Sequence, residues 1–295
     1  GIDVGVPGNW DFAYGPIVTR RRYTDLPMAT IMEAMQGPRK RMAQRRGWRG
    51  ADVNGSEEIQ GLEQFEGMTP IGDILRPNFP NLAANVTLKF PPLRRGQTML
   101  PATLMKPIGG VNVGFIGITS DIVPRMHSIL AFGLTFLEGE KNYTALIERH
   151  ARELRRQGAQ IVAVMSELGI HKDYRLAQVI APGTVDVFFS AHTHEAVFDP
   201  LTSKSGALVV EAGNDGYLGR MDVTVKDGRV IARRWKLMPV GDDIPEDASM
   251  KALVDEARAP FLARQVDMKA PMPMISQRLT QPIDTVVGRT QGPLD

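Results

Sequence analysis

Short apolar runs alternate with amphipathic stretches through the middle of the chain. The runs at 111–118 (VNVGFIGI) and 161–165 (IVAVM) are short and rich in β-branched residues, so both are predicted strands. The unbroken apolar character of 161–165 suits a strand covered on both faces. Between them, over 143–157, Leu146, Ile147, His150 and Leu154 return at helical spacing and Gly158 supplies a stop, which predicts a helix. A strand at 82–86 precedes this set. A short helix at 173–180 and a strand at 185–189 follow it. The order strand, helix, strand, helix, strand predicts an α/β fold, and open α/β sheets place their sites at the C-terminal ends of strands.

Further along, 208–211, 220–225 and 229–237 read as strands, the last two joined by the Asp227-Gly228 turn. Past 241 the pattern becomes polar. It holds a helical stretch at 249–265 and a linker-like stretch at 269–273. The expected organisation is therefore a main domain over 1–241, a helical linker over 242–273, and the first strands of a further domain over 274–295. The chain opens on Gly1 and enters a strand-like pattern at once, so we expect a fragment whose domain begins upstream.

Composition narrows the chemistry. The 295 residues are 43% hydrophobic, enough to bury a full core. Lys and Arg number 35 against 33 Asp and Glu, and a net charge of +2 gives no argument for a polyanionic partner. Cysteine is absent, which excludes disulfides, thiolate metal sites and thiol catalysis, and leaves oxygen and nitrogen ligands for hard or borderline ions. No apolar stretch reaches the roughly 18 residues that a membrane span needs. Basic clusters at Arg20-Arg21-Arg22 and around Arg45, Arg46 and Arg49, beside Trp48, have the composition of a nucleic-acid contact. Glu57, Glu58, Glu63 and Glu66 follow closely, so we read a solvated surface segment and expect no nucleic-acid polymer as partner.

Three segments carry candidate ligands. The first is Gly8-Asn9-Trp10-Asp11-Phe12, where an asparagine oxygen, a neutral hard ligand, precedes a carboxylate by two positions. The second is Ser166-Glu167-Leu168-Gly169 at the end of the 161–165 strand, where a glutamate needs solvent, a cation or an arginine. The third is Ala191-His192-Thr193-His194-Glu195 after the 185–189 strand. Alternate residues of an extended segment share a face, so its two imidazoles suit one metal or a pair of metals.

In this order the three segments resemble the calcineurin-like metallophosphoesterase superfamily, in particular the amino-terminal domain of the 5′-nucleotidase group. Its blocks run Asp-x-His, Gly-Asp, Gly-Asn-His-Asp/Glu, Ser-His and Gly-His-x-His. Gly8-Asn9-Trp10-Asp11-Phe12, Ser166-Glu167 and Ala191-His192-Thr193-His194 fall on the last three. Asn81-Leu82-Ala83-Ala84-Asn85, the stretch 109–119, Gly213-Asn214-Asp215-Gly216 and Leu218-Gly219 match the connecting text. The resemblance covers about residues 1–240, with 282–295 similar to the opening of that group's carboxy-terminal domain.

The resemblance implies an α/β sandwich of mixed sheets flanked by helices, truncated at the N-terminus. It implies a hydrolase of nucleotides or related phosphomonoesters that uses two divalent ions (Mn, Mg or Zn) and a hydroxide bridged between them. Asn9, Glu167 and His192 would bind the second ion and His194 the first, and the remaining family ligands would precede Gly1. Asp11 would be the acid of the leaving-group pair. Two departures stand out. Trp10 occupies the position of a histidine that handles a proton, a role tryptophan cannot fill, and His171 is the candidate replacement. Glu167 replaces the Ser-His histidine and favours harder ions, manganese above all. The thiosulfohydrolases of bacterial sulfur oxidation also carry tryptophan in that block, which makes such an activity the alternative; a binding protein on a decayed site is a third reading. Many relatives are exported, so a periplasmic or extracellular location is expected.

Overall fold

The structure, a computed structural model, describes residues 1–23, 76–89, 97–127, 130–214, 216–262, 267–269, 276–278, 282–286 and 288–289. The arginine-rich segment around Arg45 to Arg49 lies outside them. By contact, the described residues up to Val240 form one compact unit and those from Gly241 onward a second.

In the first unit a 3-10 turn (Asn9–Phe12) leads into α1 (Gly15–Tyr23). There follow β1 (Val86–Leu88), β2 (Thr103–Ile108), β3 (Val111–Ile118), α2 (Val123–Met126), β4 (Leu134–Phe136), α3 (Glu140–Arg156), β5 (Ile161–Ser166) and α4 (Ile170–Val179). The unit closes with β6 (Val187–Ser190), β7 (Leu201–Thr202), β8 (Leu208–Glu211), β9 (Tyr217–Lys226) and β10 (Arg229–Pro239). In the second unit, α5 (Ala248–Leu262) is followed by the antiparallel pair β11 (Asp267–Lys269) and β12 (Ser276–Arg278).

The main sheet runs in the order β2-β3-β5-β6-β8-β7. Its four central strands are parallel, while β2 and β7 join antiparallel at the edges. This is the expected α/β architecture, with the expected mixed sheet. Register matters most at one end: Ile118 pairs with Ser166, Ser166 with Ser190, and Ser190 with Glu211. Four strand exits therefore stand at one height, and the candidate ligands follow two of them.

Both faces of this sheet are covered. On one, Ile116, Ile118, Val162, Val164, Phe188 and Val209 pack with Ile147 and Leu154 of α3 and Leu176 of α4. On the other, Phe115, Ile161, Ala163, Val187 and Val210 meet Met221, Val223, Val225 and Trp235 of the β9–β10 hairpin. Successive residues of β5 thus serve opposite cores, which is why its sequence is apolar throughout. Each large aliphatic side chain buried this way contributes about 2 kcal/mol.

α3 buries Tyr143, Ile147, Ala151 and Leu154 and carries Arg155 and Arg156 in its last turn, favourable beside the carbonyl end of a helix. Arg155 pairs with Asp186 at 2.7 Å, and Asp186 also accepts the Val162 N–H at 2.8 Å, tying helix to sheet at the end opposite the candidate site. Asp227 and Gly228 both have positive φ, the conformation a two-residue hairpin turn requires, as the Asp-Gly pair implied.

Elsewhere the elements depart from the pattern. Only Val86 of the expected 82–86 strand lies in β1. The N–H groups of Leu82, Ala83 and Ala84 donate to Gly5, Pro101 and Gly117, three separate segments rather than one ladder. This crossing chain presses on the sheet at Gly117, where a Cβ would sit 2.2 Å from Leu82 Cβ and 2.7 Å from its backbone. α4 begins three residues earlier than expected, because Gly169, at φ +92°, turns the chain directly into it. Helix α1 and strand β2 had no clear periodic signal.

Candidate functional site

The site grows from the four levelled strand exits. At the end of β5, Ser166 donates a hydrogen bond to Asp173 Oδ1 at 2.7 Å; at the end of β6, Ser190 donates to Asp173 Oδ2 at 2.6 Å. Asp173 is fully buried on the inward face of α4, so one carboxylate clamps two strand ends to a helix. Burial pushes its carboxyl up to about 7, with the two serines opposing and Glu211 adding to the rise.

Glu167 follows that clamp. Its carboxylate lies under the Gly8 backbone, close enough that a Cβ on Gly8 would stand 3.4 Å from the carboxyl carbon and from both oxygens. Oε2 sits 3.5 Å from His192 Nδ1, with the two side chains 19% and 23% exposed, and it has no hydrogen-bond partner among the described residues. Such an oxygen is rare in a folded interior. Burial, reinforced by Asp11, Glu211 and Asp173, pushes the Glu167 carboxyl up to about 7. Burial and the nearby Lys172 ammonium push the His192 imidazole down, favouring its neutral form.

The His192-Thr193-His194 segment is not a simple extended strand end. His192 has φ +84° and His194 φ +56°, a left-handed backbone on both histidines. Non-glycine residues in that region carry a cost of about 1–3 kcal/mol each and persist where the surroundings enforce them. Between them, Thr193 Oγ1 accepts the Ile170 N–H at 3.0 Å and donates to Glu211 Oε2 at 2.7 Å. His194 is exposed. The alternation that would have put the two rings on one face does not apply to this backbone.

The amino-terminal segment closes over Glu167. Gly8 N–H donates to Asp11 Oδ2 at 2.9 Å, Tyr23 hydroxyl donates to Asp11 Oδ1 at 2.6 Å, and Arg22 lies 3.5 Å from the same carboxylate. Both oxygens of Asp11 are thus engaged in holding the turn. Thr119 hydroxyl donates to the Pro7 carbonyl, fixing the segment against the end of β3. Asn9 Nδ2 points at Met126 Sδ, 3.8 Å away. Trp10 stands 73% exposed. His171 occupies the first turn of α4 and is exposed.

Of the residues expected to carry chemistry, Glu167 and His192 are in contact, and the loop bearing Asn9 lies against Glu167. Of the others, Asp11 lies in the 3-10 turn, His171 in the first turn of α4 and His194 in the loop after β6. No group of three or more His, Asp and Glu side chains among the described residues is arranged to hold a metal ion. Asp173, on α4 against two strand exits, and Glu211, at the end of β8, are both buried and were not singled out from the sequence. A signal existed for each. Asp173 falls between Ile170 and Leu176-Ala177 on the apolar stripe of α4, where a carboxylate needs buried partners, and Glu211 ends the apolar run of β8.

No family model matches the chain. An apyrase of Anopheles gambiae is 24% identical over 200 residues, which are 59% of this chain and 33% of the apyrase. A 5′-nucleotidase precursor from Thermus thermophilus superposes with a TM-score of 0.52 at 23% identity, covering 63% of this chain and 39% of that one. The Thermus thermophilus sulfate thiohydrolase gives 0.57 at 18% identity over 86% of this chain and 50% of its own. The chain spans half or less of the length of each of these relatives. The chain shares the fold of the two solved structures, the mixed α/β fold that the resemblance of its sequence blocks implied.

Proposed function

We propose that the chain carries part of the active site of a metal-dependent hydrolase of small phosphate esters, 5′-nucleotidase-like in substrate class. The observation that carries this reading is the buried Glu167 Oε2 without a hydrogen-bond partner beside a neutral-leaning His192. A carboxylate oxygen left without a hydrogen bond 3.5 Å from an imidazole nitrogen suits a divalent cation, whose charge would relieve the crowding that raises the Glu167 pKa. In this reading Asn9, Glu167 and His192 hold one ion and His194 a second, with manganese favoured by the carboxylate. When bound, such ions supply a nucleophile at neutral pH and stabilise charge on the ester oxygens.

The protein's own groups then have defined tasks. Asp11 holds the Gly8–Asn9 backbone over Glu167, which sets Asn9 rather than moving a proton. Trp10 offers an apolar surface where a proton donor would serve phosphomonoester cleavage, and His171 remains the candidate donor. Export to the periplasm or cell surface goes with this assignment; among the described residues no helix is long and apolar enough to cross a membrane.

A thiosulfohydrolase activity is the second reading. It is favoured by the exposed Trp10 and by likeness to the sulfate thiohydrolase across most of the chain. Supplying the chain with manganese and following phosphate release from nucleoside monophosphates, and sulfate release from a thiosulfonate conjugate, separates the two. Phosphate release supports the first reading and sulfate release alone the second. Fewer than one ion per chain with neither product overturns both and leaves a binding protein on this fold.

A further inference from the structure

We propose that Thr193 and Glu211 are positioning residues that hold His192 and His194 in their left-handed backbone and thereby present the two imidazoles; the inference rests on the metal-site reading above for its purpose but not for its geometry. Three contacts, two from the β5–α4 junction and one from β8, converge on the Thr193 side chain. The first is from the β5–α4 turn: Ile170 N–H donates to Thr193 Oγ1 at 3.0 Å. The second is from β8, whose last residue, Glu211, accepts the Thr193 hydroxyl at 2.7 Å while only 2% exposed. The third is from Gly169, where a Cβ would come within 2.8 Å of Thr193 Cγ2 and where φ is +92°, so only glycine admits the threonine methyl so closely.

These contacts fix the middle residue of the segment on both sides of its hydroxyl. The flanking histidines each occupy a conformation that a free chain would leave, and the bolt on Thr193 is what opposes that relaxation. A hydroxyl is required, since it must accept from an amide and donate to a carboxylate at once; a valine of the same shape does neither. Glu211 Oε1 has no hydrogen-bond partner among the described residues, so the buried carboxylate is committed to Thr193 through Oε2 alone. Holding a ligand-bearing loop through such outer contacts commonly governs metal affinity by about 10–100-fold.

The test compares Thr193→Ser, which keeps the hydroxyl and loses the methyl, with Thr193→Val, which does the opposite. Histidine-selective 13C labelling of the whole chain gives five Cα signals, one for each histidine. Thr193→Ser is expected to keep the His192 and His194 signals and the Mn(II) dissociation constant of the parent protein, even where its melting point falls. Thr193→Val is expected to move both signals and to weaken Mn(II) binding about tenfold or more, with Glu211→Leu reproducing the effect. Unchanged signals in Thr193→Val overturn the inference, as do losses that follow melting temperature equally in serine and valine variants. If the parent protein binds no Mn(II), the functional reading fails, and the histidine signals alone still decide the positioning role.

Discussion

Tyr23 donates a 2.6 Å hydrogen bond to Asp11, a residue whose other oxygen caps the Gly8 amide. The acid of the Asn9 segment is thus part of the scaffold that carries it. Burial pushes the Tyr23 phenol up from its ordinary value and the carboxylate adds to the effect, so the phenol stays a donor at any physiological pH. Tyr23→Phe is expected to cost about 1 kcal/mol of stability. Asp11→Ala is expected to cost about 1–2 kcal/mol, as loss of a cap does, and also to weaken Mn(II) binding. Urea denaturation and metal titration of both variants check this, and an Asp11→Ala protein with parental metal affinity would separate Asp11 from Asn9.

Asp173 makes a pH-dependent prediction. Its folded-state value, raised to about 7, lies above the ordinary 3.8. Between about pH 4 and 7 the folded protein therefore holds a proton that the unfolded chain has lost, and stability falls as pH rises through that window. Below it both states are protonated and the penalty disappears. Asp173→Asn keeps partners for both serines and removes the titration, so the variant is expected to gain stability relative to the parent between pH 5 and pH 8. Denaturation midpoints at those two values read it directly.

Gly117 permits the sheet and the crossing chain to touch. An alanine there would overlap the Leu82 side chain and backbone in a fully buried place. Gly117→Ala is expected to destabilise by about 3 kcal/mol, whereas Gly183→Ser, in open surroundings although at positive φ, should cost less. Thermal melts of the two compare packing with backbone strain.

Trp10 is exposed, so Trp10→His should leave stability within about 0.5 kcal/mol. If the protein cleaves phosphomonoesters, an imidazole at that position is expected to raise turnover about 100-fold, the usual scale of general acid catalysis. A thiosulfohydrolase would gain no phosphatase activity from the change, and phosphate release assays distinguish the cases.

Glu167→Gln should relieve the carboxylate crowding while removing the proposed metal ligand. In metal-free buffer the variant is expected to melt no lower than the parent. With Mn(II) at about 100 times the dissociation constant the parent should gain about 2.7 kcal/mol that the variant lacks. Melting curves with and without metal check both halves.

The central fold was legible because β5 and α3 obey simple rules. An apolar strand covered on both faces and a helix with one apolar stripe read directly from residue order. The 82–86 stretch departs from its pattern for a physical reason: its apolar residues are buried by crossing the sheet, and burial without a ladder leaves no periodic mark. The site was legible as residue types and not as conformation. Strand alternation suggested a shared face for His192 and His194, but positive φ at both changes where they point. Asp173 and Glu211 escaped notice because a lone carboxylate in an apolar pattern resembles a solvent-facing residue until its serine and threonine partners are known.

Beyond His194 the chain is tethered twice more: Ala196 bridges to Ala212, and the Trp235 indole donates to the Val197 carbonyl at 2.7 Å. Loops at strand ends ordinarily open at little cost in free energy. This one is pinned at Thr193, Ala196 and Val197, so it opens only with the hairpin and the end of β8. Amide hydrogen exchange should therefore find a slow island at 193–197 on an otherwise fast rim, and any ion held by His194 would leave on the timescale of that opening rather than of a free side chain.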